Sequence, residues 1–181
     1  RRGSIPPTRS TFIIMAYDRN KIFEQAKEVS LTDGCNTLKD KFKNEKEFTE
    51  NLLPKLEGII KTAYNLDIDK VELEKQFKLN EYGLFSIYAD IYITTKQGKD
   101  ILIECKNPRH DKAETFNAFG QIMSYQYLLS KTPFKPIVIL ATSNFEFYYF
   151  DFIKQFNLDF DVIINNKEKT AFWLNDFKNG I

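Results

Sequence analysis

The sequence predicts an α/β fold in which a central mixed β-sheet is flanked by helices. Three observations carry that prediction. Apolar residues recur at spacings of three and four between about residues 37 and 64, and again between 113 and 129, which is the period of an amphipathic helix. Between these helices lie two segments rich in β-branched and aromatic residues, 82–93 and 101–106, joined by a Gly-containing turn. After the second helix comes PIVILAT, residues 136–142, an almost wholly apolar run of the kind that forms a strand buried on both faces. Helix, hairpin, helix and strand in that order pack helices against a sheet.

In chain order, residues 1–14 (RRGSIPPTRSTFII) contain adjacent prolines and favour Arg, whereas the remainder favours Lys. That contrast marks a vector-derived or disordered leader, with Met15 as a candidate native start and 15–181 as a single domain. Residues 15–29 read as a short helix, which Asp33-Gly34 breaks. The helix over 37–64 sets Phe48, Leu52, Leu56, Ile59, Ile60 and Ala63 on one face. Pro54 either kinks it or restarts it at a first turn. Asn44 with Glu47 three residues on has the capping-box spacing. A change of period follows 63–77 and opens the hairpin, whose turn falls near Gln97-Gly98. Residues 107–112 are a loop, and Phe116, Phe119, Ile122, Met123 and Leu128 are the apolar positions of the next helix. The aromatic run NFEFYYFDFI (144–153) reads as a strand, as does DVII (161–164), ahead of a tail containing Trp173.

Composition excludes several classes. Lys plus Arg (26) nearly balances Asp plus Glu (25), so net charge announces no partner. Cys35 and Cys105 sit in no Cys-x-x-Cys or Cys/His cluster, which argues against zinc and iron–sulfur sites. A single histidine, His110, argues against His-based metal sites and a Ser-His-Asp triad. No apolar run approaches the roughly 20 residues that span a bilayer, and no signal peptide is evident. The expected location is cytoplasmic, with no membrane partner.

The chemistry concentrates in the hairpin. Alternate side chains of a strand share a face, so Glu104 and Lys106 point one way and Cys105 the other. Pairing centred near Gln97-Gly98 puts Asp90 opposite the Glu104 region, where direct cross-strand Cβ atoms lie about 5 Å apart. Two carboxylates that close repel unless a cation stands between them, and oxygen donors suit Mg²⁺. An Asp–Lys or Glu–Lys ion pair across an ordinary hairpin is the alternative. In the helix over 113–129, Gln121 and Tyr125 share a face at i and i+4. Stepping 100° per residue from Leu52 puts Glu45 near the middle of the apolar face of the 44–63 helix, with Glu47 and Glu50 on the opposite, solvent side.

Asp90, a short hairpin and then Glu104-Cys105-Lys106 resemble the PD-(D/E)xK nuclease superfamily, with Ala89 where the name has Pro. ADIYITTKQGKDILIECKNP (89–108) and the helix after it look like the nuclease domain at the start of type I restriction motor subunits. Gln121-x-x-x-Tyr125 resembles an element of RecB-like nucleases. The likeness covers roughly residues 44–142. It implies a restriction-endonuclease-like core and a Mg²⁺-dependent endodeoxyribonuclease, with Mn²⁺ able to substitute. It implies that Asp90, Glu104, the main-chain carbonyl of Cys105 and Glu45 hold the metal. Lys106 would assist the attacking water, and Gln121 and Tyr125 would shape the site. Asn107, Arg109 and His110 are outer candidates for phosphate contact. The implied partner is nucleic acid, DNA first, in a homodimer or a larger restriction or mobile-element assembly. An RNA endonuclease using the same site and a non-catalytic nucleic-acid-binding module remain alternatives.

Overall fold

The computed structural model describes residues 12–14, 42–78, 86–108, 112–143, 145, 148–167 and 170–175. The helix expected over 15–29, together with Cys35, Arg109 and His110, lies outside them. Among the described residues one mixed sheet holds seven strands: β1 (Phe12–Ile14), β2 (Ile68–Lys78), β3 (Ser86–Thr95), β4 (Asp100–Lys106), β5 (Ile137–Thr142), β6 (Asp161–Asn165) and β7 (Thr170–Trp173). Their spatial order is β1-β7-β6-β5-β4-β3-β2. The β2/β3, β3/β4 and β6/β7 pairs are antiparallel, and β4/β5, β5/β6 and β1/β7 are parallel. The predicted class, a mixed sheet flanked by helices, is the one observed.

Helices α1 (Glu45–Leu52) and α2 (Leu56–Tyr64) cover one face of the sheet. Between them Leu53–Lys55 form a single 3-10 turn with Pro54 in its first turn, so the proline restarts the helix. Phe48, Leu52, Leu56 and Ile60 of this layer are buried against Ile91, Ile93, Ile101 and Ile103. Burying such side chains contributes about 1.5–3 kcal/mol each, and this packing seats α1 over the end of β4. Helices α3 (Lys112–Ser130) and α4 (Tyr148–Gln155) cover the other face through Ala118, Phe119, Ile122, Tyr125, Leu129, Tyr149 and Ile153.

The hairpin turn lies where expected. The Gly98 amide donates to the Thr95 carbonyl (2.9 Å) and the Thr95 amide to the Lys99 carbonyl (3.0 Å). Gly98 has φ 73, a left-handed conformation that glycine adopts without strain.

Two local expectations are corrected. Residues 68–78, assigned to no element by the sequence, form the long edge strand β2; exposure of most of its side chains blurs its alternation. The run expected as a strand over 144–153 instead contributes to α4. Buried Tyr149 and Ile153 are one helical turn apart there, and packing against α3 overrides the aromatic β-preference. Phe12–Ile14 join the sheet as well, pairing in parallel with Thr170–Phe172. The β-prone sequence Phe-Ile-Ile finds an open sheet edge there.

Candidate active site

The site begins where two neighbouring strands part. The β3/β4 ladder runs from Thr94↔Asp100 to Ile91↔Ile103 and ends there, while β3 continues to pair with β2 as far as Ser86. Separation releases backbone groups that need new partners. The Asp90 carboxylate takes the Cys105 amide, with Oδ2 accepting at 2.6 Å. The Tyr125 hydroxyl, reaching down from α3, offers its one proton to the Tyr88 carbonyl and to Glu104 Oε2 (3.0 Å). A gap in the sheet thus becomes a polar cluster at the C-terminal end of β4.

Glu104 is only 2% exposed, and its Oε1 lies 2.7 Å from Lys106 Nζ. Burial first, and the neighbouring Asp90 charge second, push the Glu104 carboxyl above the ordinary glutamate range against the pull of Lys106 and Tyr125. Asp90 is raised as well, again by burial first; the Cys105 amide and Lys106 oppose the shift and Glu74 adds to it. Burial alone would lower Lys106, but the hydrogen bond to Glu104 and the fields of Glu104, Glu45 and Asp90 outweigh it and hold the ammonium above its usual value. The cluster therefore holds two carboxylates that are hard to ionise and one lysine that is hard to neutralise.

The opposite helix layer supplies Glu45. Asn44 caps α1 through Oδ1, which accepts the Glu47 amide at 2.8 Å. Glu45 is the first helical residue, and its carboxylate lies 3.7 Å from Lys106 Nζ. It sits at the rim, its side chain 47% exposed, and not on the buried face that its angular position suggested. The reason is its place at the mouth of the helix, beyond the packed positions Phe48 and Leu52. Glu50 is exposed as expected. Glu47 is also at the surface, where it accepts the Lys43 amide and pairs with Lys167 at 3.3 Å, the capping arrangement drawing it back over the helix start.

Asn107 acts as a brace. Its Nδ2 donates to the Phe42 carbonyl at 3.1 Å, its Oδ1 accepts from the Ser143 hydroxyl at 2.7 Å, and the Ser143 amide donates to the Lys106 carbonyl at 3.2 Å. These bonds tie the approach to α1, the end of β4 and the end of β5 together. They fix Glu45 relative to Lys106, a task distinct from the phosphate contact expected of Asn107.

Outside this cluster Lys43, Asn44, Glu45, Lys106, Asn107, Asn117 and Gln121 line an open cleft of about 510 Å³. Of the residues proposed from sequence, Glu45, Lys106, Asn107 and Gln121 face this cleft, while Glu104 contacts Lys106, Tyr125 contacts Glu104 and Asp90 contacts the Cys105 amide. Lys43 and Asn117 were missed. Asn117 had a legible signal, since it precedes Gln121 by one helical turn and so shares its face.

Among the described residues no three His, Cys, Asp or Glu side chains converge as a metal cage. The carboxylates near the end of β4 that could hold a divalent cation are Asp90 and Glu104, with Glu45 at the rim beside Lys106. Two carboxylates suit Mg²⁺, which keeps several waters and completes its shell with substrate oxygens. Glu45 lies against Lys106 and is placed as its counter-ion. The Cys105 side chain is buried in the α1/α2 layer, and burial first pushes its thiol well up, so it offers no thiolate. No protein-family model, curated protein or solved structure matches the chain. No helix among the described residues is long and apolar enough to cross a membrane.

Proposed function

We propose that the chain is a divalent-metal-dependent nuclease of PD-(D/E)xK type, acting inside the cell on nucleic acid, with DNA as the favoured substrate. One observation carries the reading: at the parting of β3 and β4, partly buried Asp90 lies within the field of buried Glu104 and of Lys106, which borders an open cleft. An ordinary structural ion pair needs one carboxylate. The second one raises the electrostatic cost of the pocket, and that cost is explained by a cation held during the reaction.

Bound Mg²⁺ or Mn²⁺ would supply Lewis acidity and an activated water. Asp90 and Glu104 would hold it, both ionised. Asp90 also keeps the Cys105 amide, so the end of β4 stays in register. Lys106, released from Glu104, can reach the cleft and stabilise charge developing on a phosphate oxygen. Glu45 orients the lysine, and Tyr125 holds Glu104 Oε2 in place. Gln121 and Asn117, one helical turn apart on the cleft wall, offer amides to the nucleic-acid backbone.

The test is incubation with supercoiled DNA, linear DNA, single-stranded DNA and RNA, each with Mg²⁺, Mn²⁺ or EDTA. Metal-dependent cleavage that Lys106→Ala abolishes supports the reading. Absence of cleavage of all four, with either metal, sinks it.

A further inference from the structure

The strand that carries Asp90 changes face at that residue. Ile87 and Ala89 pack on the α3/α4 side of the sheet, whereas Ile91 and Ile93 pack on the α1/α2 side. Regular alternation would keep all four on one side. The edge strand makes the same change. Its register passes from Leu73↔Ile91 to Lys75↔Ala89 across Glu74, whose φ of 51 is left-handed. Tyr88, between Ile87 and Ala89, therefore projects on the α1/α2 side. That is the side from which Glu45 comes to Lys106.

Tyr88 stands on the stretch of β3 that has left β4. The ladder ends at Ile91↔Ile103. Three residues further along each strand, Tyr88 and Lys106 come level across the gap. The Tyr88 carbonyl accepts the hydroxyl of Tyr125, which also meets Glu104. Tyr88 is 59% exposed, yet its ring is held: Gln76 Nε2 donates to its hydroxyl at 2.7 Å and to Ser86 Oγ at 3.2 Å. A hydrogen bond to a phenol oxygen grips the edge of the ring and leaves its faces free.

A single exposed aromatic is ordinary on a protein surface. Tyr127 is one, and the Lys131 ammonium lies 5.3 Å from its ring centroid. Among the described residues no ring or cation lies over Tyr88. A fixed aromatic face, level with a lysine placed to meet a phosphate, suits a planar group attached to that phosphate, which is an unpaired base. Such stacking tolerates any base, because every base has a π-face. Inside a duplex the bases are already paired and stacked, so the face serves only one that is out of the stack. The cleft agrees with this. Its cations are Lys43 and Lys106, and the rest of its lining is amide side chains and Glu45. Duplex binding rests on neutralising many phosphates, whereas stacking adds affinity that needs no cation.

We infer that Tyr88 is a base-stacking residue that makes single-stranded or locally unpaired nucleic acid the substrate class of this site. The inference rests on the nuclease reading for the presence of nucleic acid at the cluster.

Fluorescence anisotropy tests it with labelled strands of about 12 nucleotides: single-stranded DNA, single-stranded RNA, the DNA duplex and a DNA strand with an abasic run. Ca²⁺, also oxygen-ligated, replaces Mg²⁺, and circular dichroism establishes that each variant is folded. The wild type is expected to bind at least one of the two single strands more tightly than the duplex. Tyr88→Ala should weaken that binding by roughly tenfold or more, and Tyr88→Trp should retain it. The abasic strand should bind wild type and Tyr88→Ala alike. Equal single-strand affinity in wild type and folded Tyr88→Ala overturns the inference. So does the same loss on the abasic strand, or a wild type that binds duplex as tightly as either single strand. Cleavage of the same strands with Mg²⁺ keeps the two readings apart. A wild type that binds through Tyr88 but cleaves nothing sinks the nuclease reading alone. Cleavage and binding unchanged in Tyr88→Ala sink the stacking inference alone.

Discussion

Two nearly fully buried carboxylates occupy opposite ends of the sheet, and they are built for different tasks. Asp161, at the start of β6, is 1% exposed; it accepts the Tyr64 hydroxyl and, at 2.7 Å, the Asn175 amide. Asn175 is anchored in turn by donating to the Leu158 carbonyl at 2.6 Å. Burial first, and then Asp161, raise the Tyr64 phenol, which therefore stays a donor. Glu104, at the end of β4, is buried as deeply but shares its pocket with a second carboxylate and a lysine that borders a cleft. Burial of a carboxylate thus identifies no site by itself. Donors from fixed elements reach both oxygens of Asp161, whereas the Glu104 cluster carries an excess of negative charge that a cation would relieve.

Substitution tests that contrast most strongly. Asp90→Ala, Glu104→Ala and Lys106→Ala should each lower cleavage by roughly a thousandfold or more, with unchanged circular dichroism. Asp161→Ala should cost about 2–4 kcal/mol in urea unfolding while sparing the activity of the folded fraction. The reverse pattern would exchange the roles of the two regions.

Metal affinity separates members of one cluster. Lys106→Met should bind Mn²⁺ at least as tightly as the wild type, because the ammonium competes with the cation for Glu104. Glu104→Gln should bind it far more weakly. A Lys106→Met protein with wild-type cleavage rates would remove the lysine from the chemistry.

The pH response follows from the raised carboxyls. Their folded pKa values lie above the unfolded ones, so the associated stability is present below the unfolded values and is lost as pH rises through the folded ones. Without metal, unfolding free energy measured across that interval should carry this downward contribution, and Glu104→Gln should remove its share. With Mg²⁺ present the trend should flatten, since the metal favours the ionised forms. Identical pH profiles for wild type and Glu104→Gln would show that Glu104 is not strained.

Smaller effects belong to the surroundings. Tyr125→Phe, Gln121→Ala and Asn117→Ala should each reduce cleavage by about tenfold without removing metal binding. Glu45→Gln should exceed Glu50→Gln, because only Glu45 meets Lys106.

The hairpin register was legible because Gly98 fixes the turn and alternation fixes the faces. The parting of β3 and β4 was not, because it depends on Tyr125 arriving from α3 and on Asp90 substituting for a ladder bond. The nearness of Glu45 to Lys106 followed from helical spacing, but its half-exposed position depends on how α1 overhangs β4. The brace at Asn107 joins Phe42 and Ser143, which are distant in sequence, and no local pattern announces it. The edge strand β2 and helix α4 escaped notice for a related reason, since exposure hides one alternation and tertiary packing overrides an aromatic β-preference in the other.

Calorimetric titration of Mg²⁺ into the metal-free protein, with Glu104→Gln and Asp161→Asn in parallel, tests the central claim most directly. Binding in the wild type and in folded Asp161→Asn, lost in Glu104→Gln, is the predicted result. Equal binding in Glu104→Gln, or none in the wild type up to millimolar metal, would contradict the assignment of Asp90 and Glu104 as the cation's ligands.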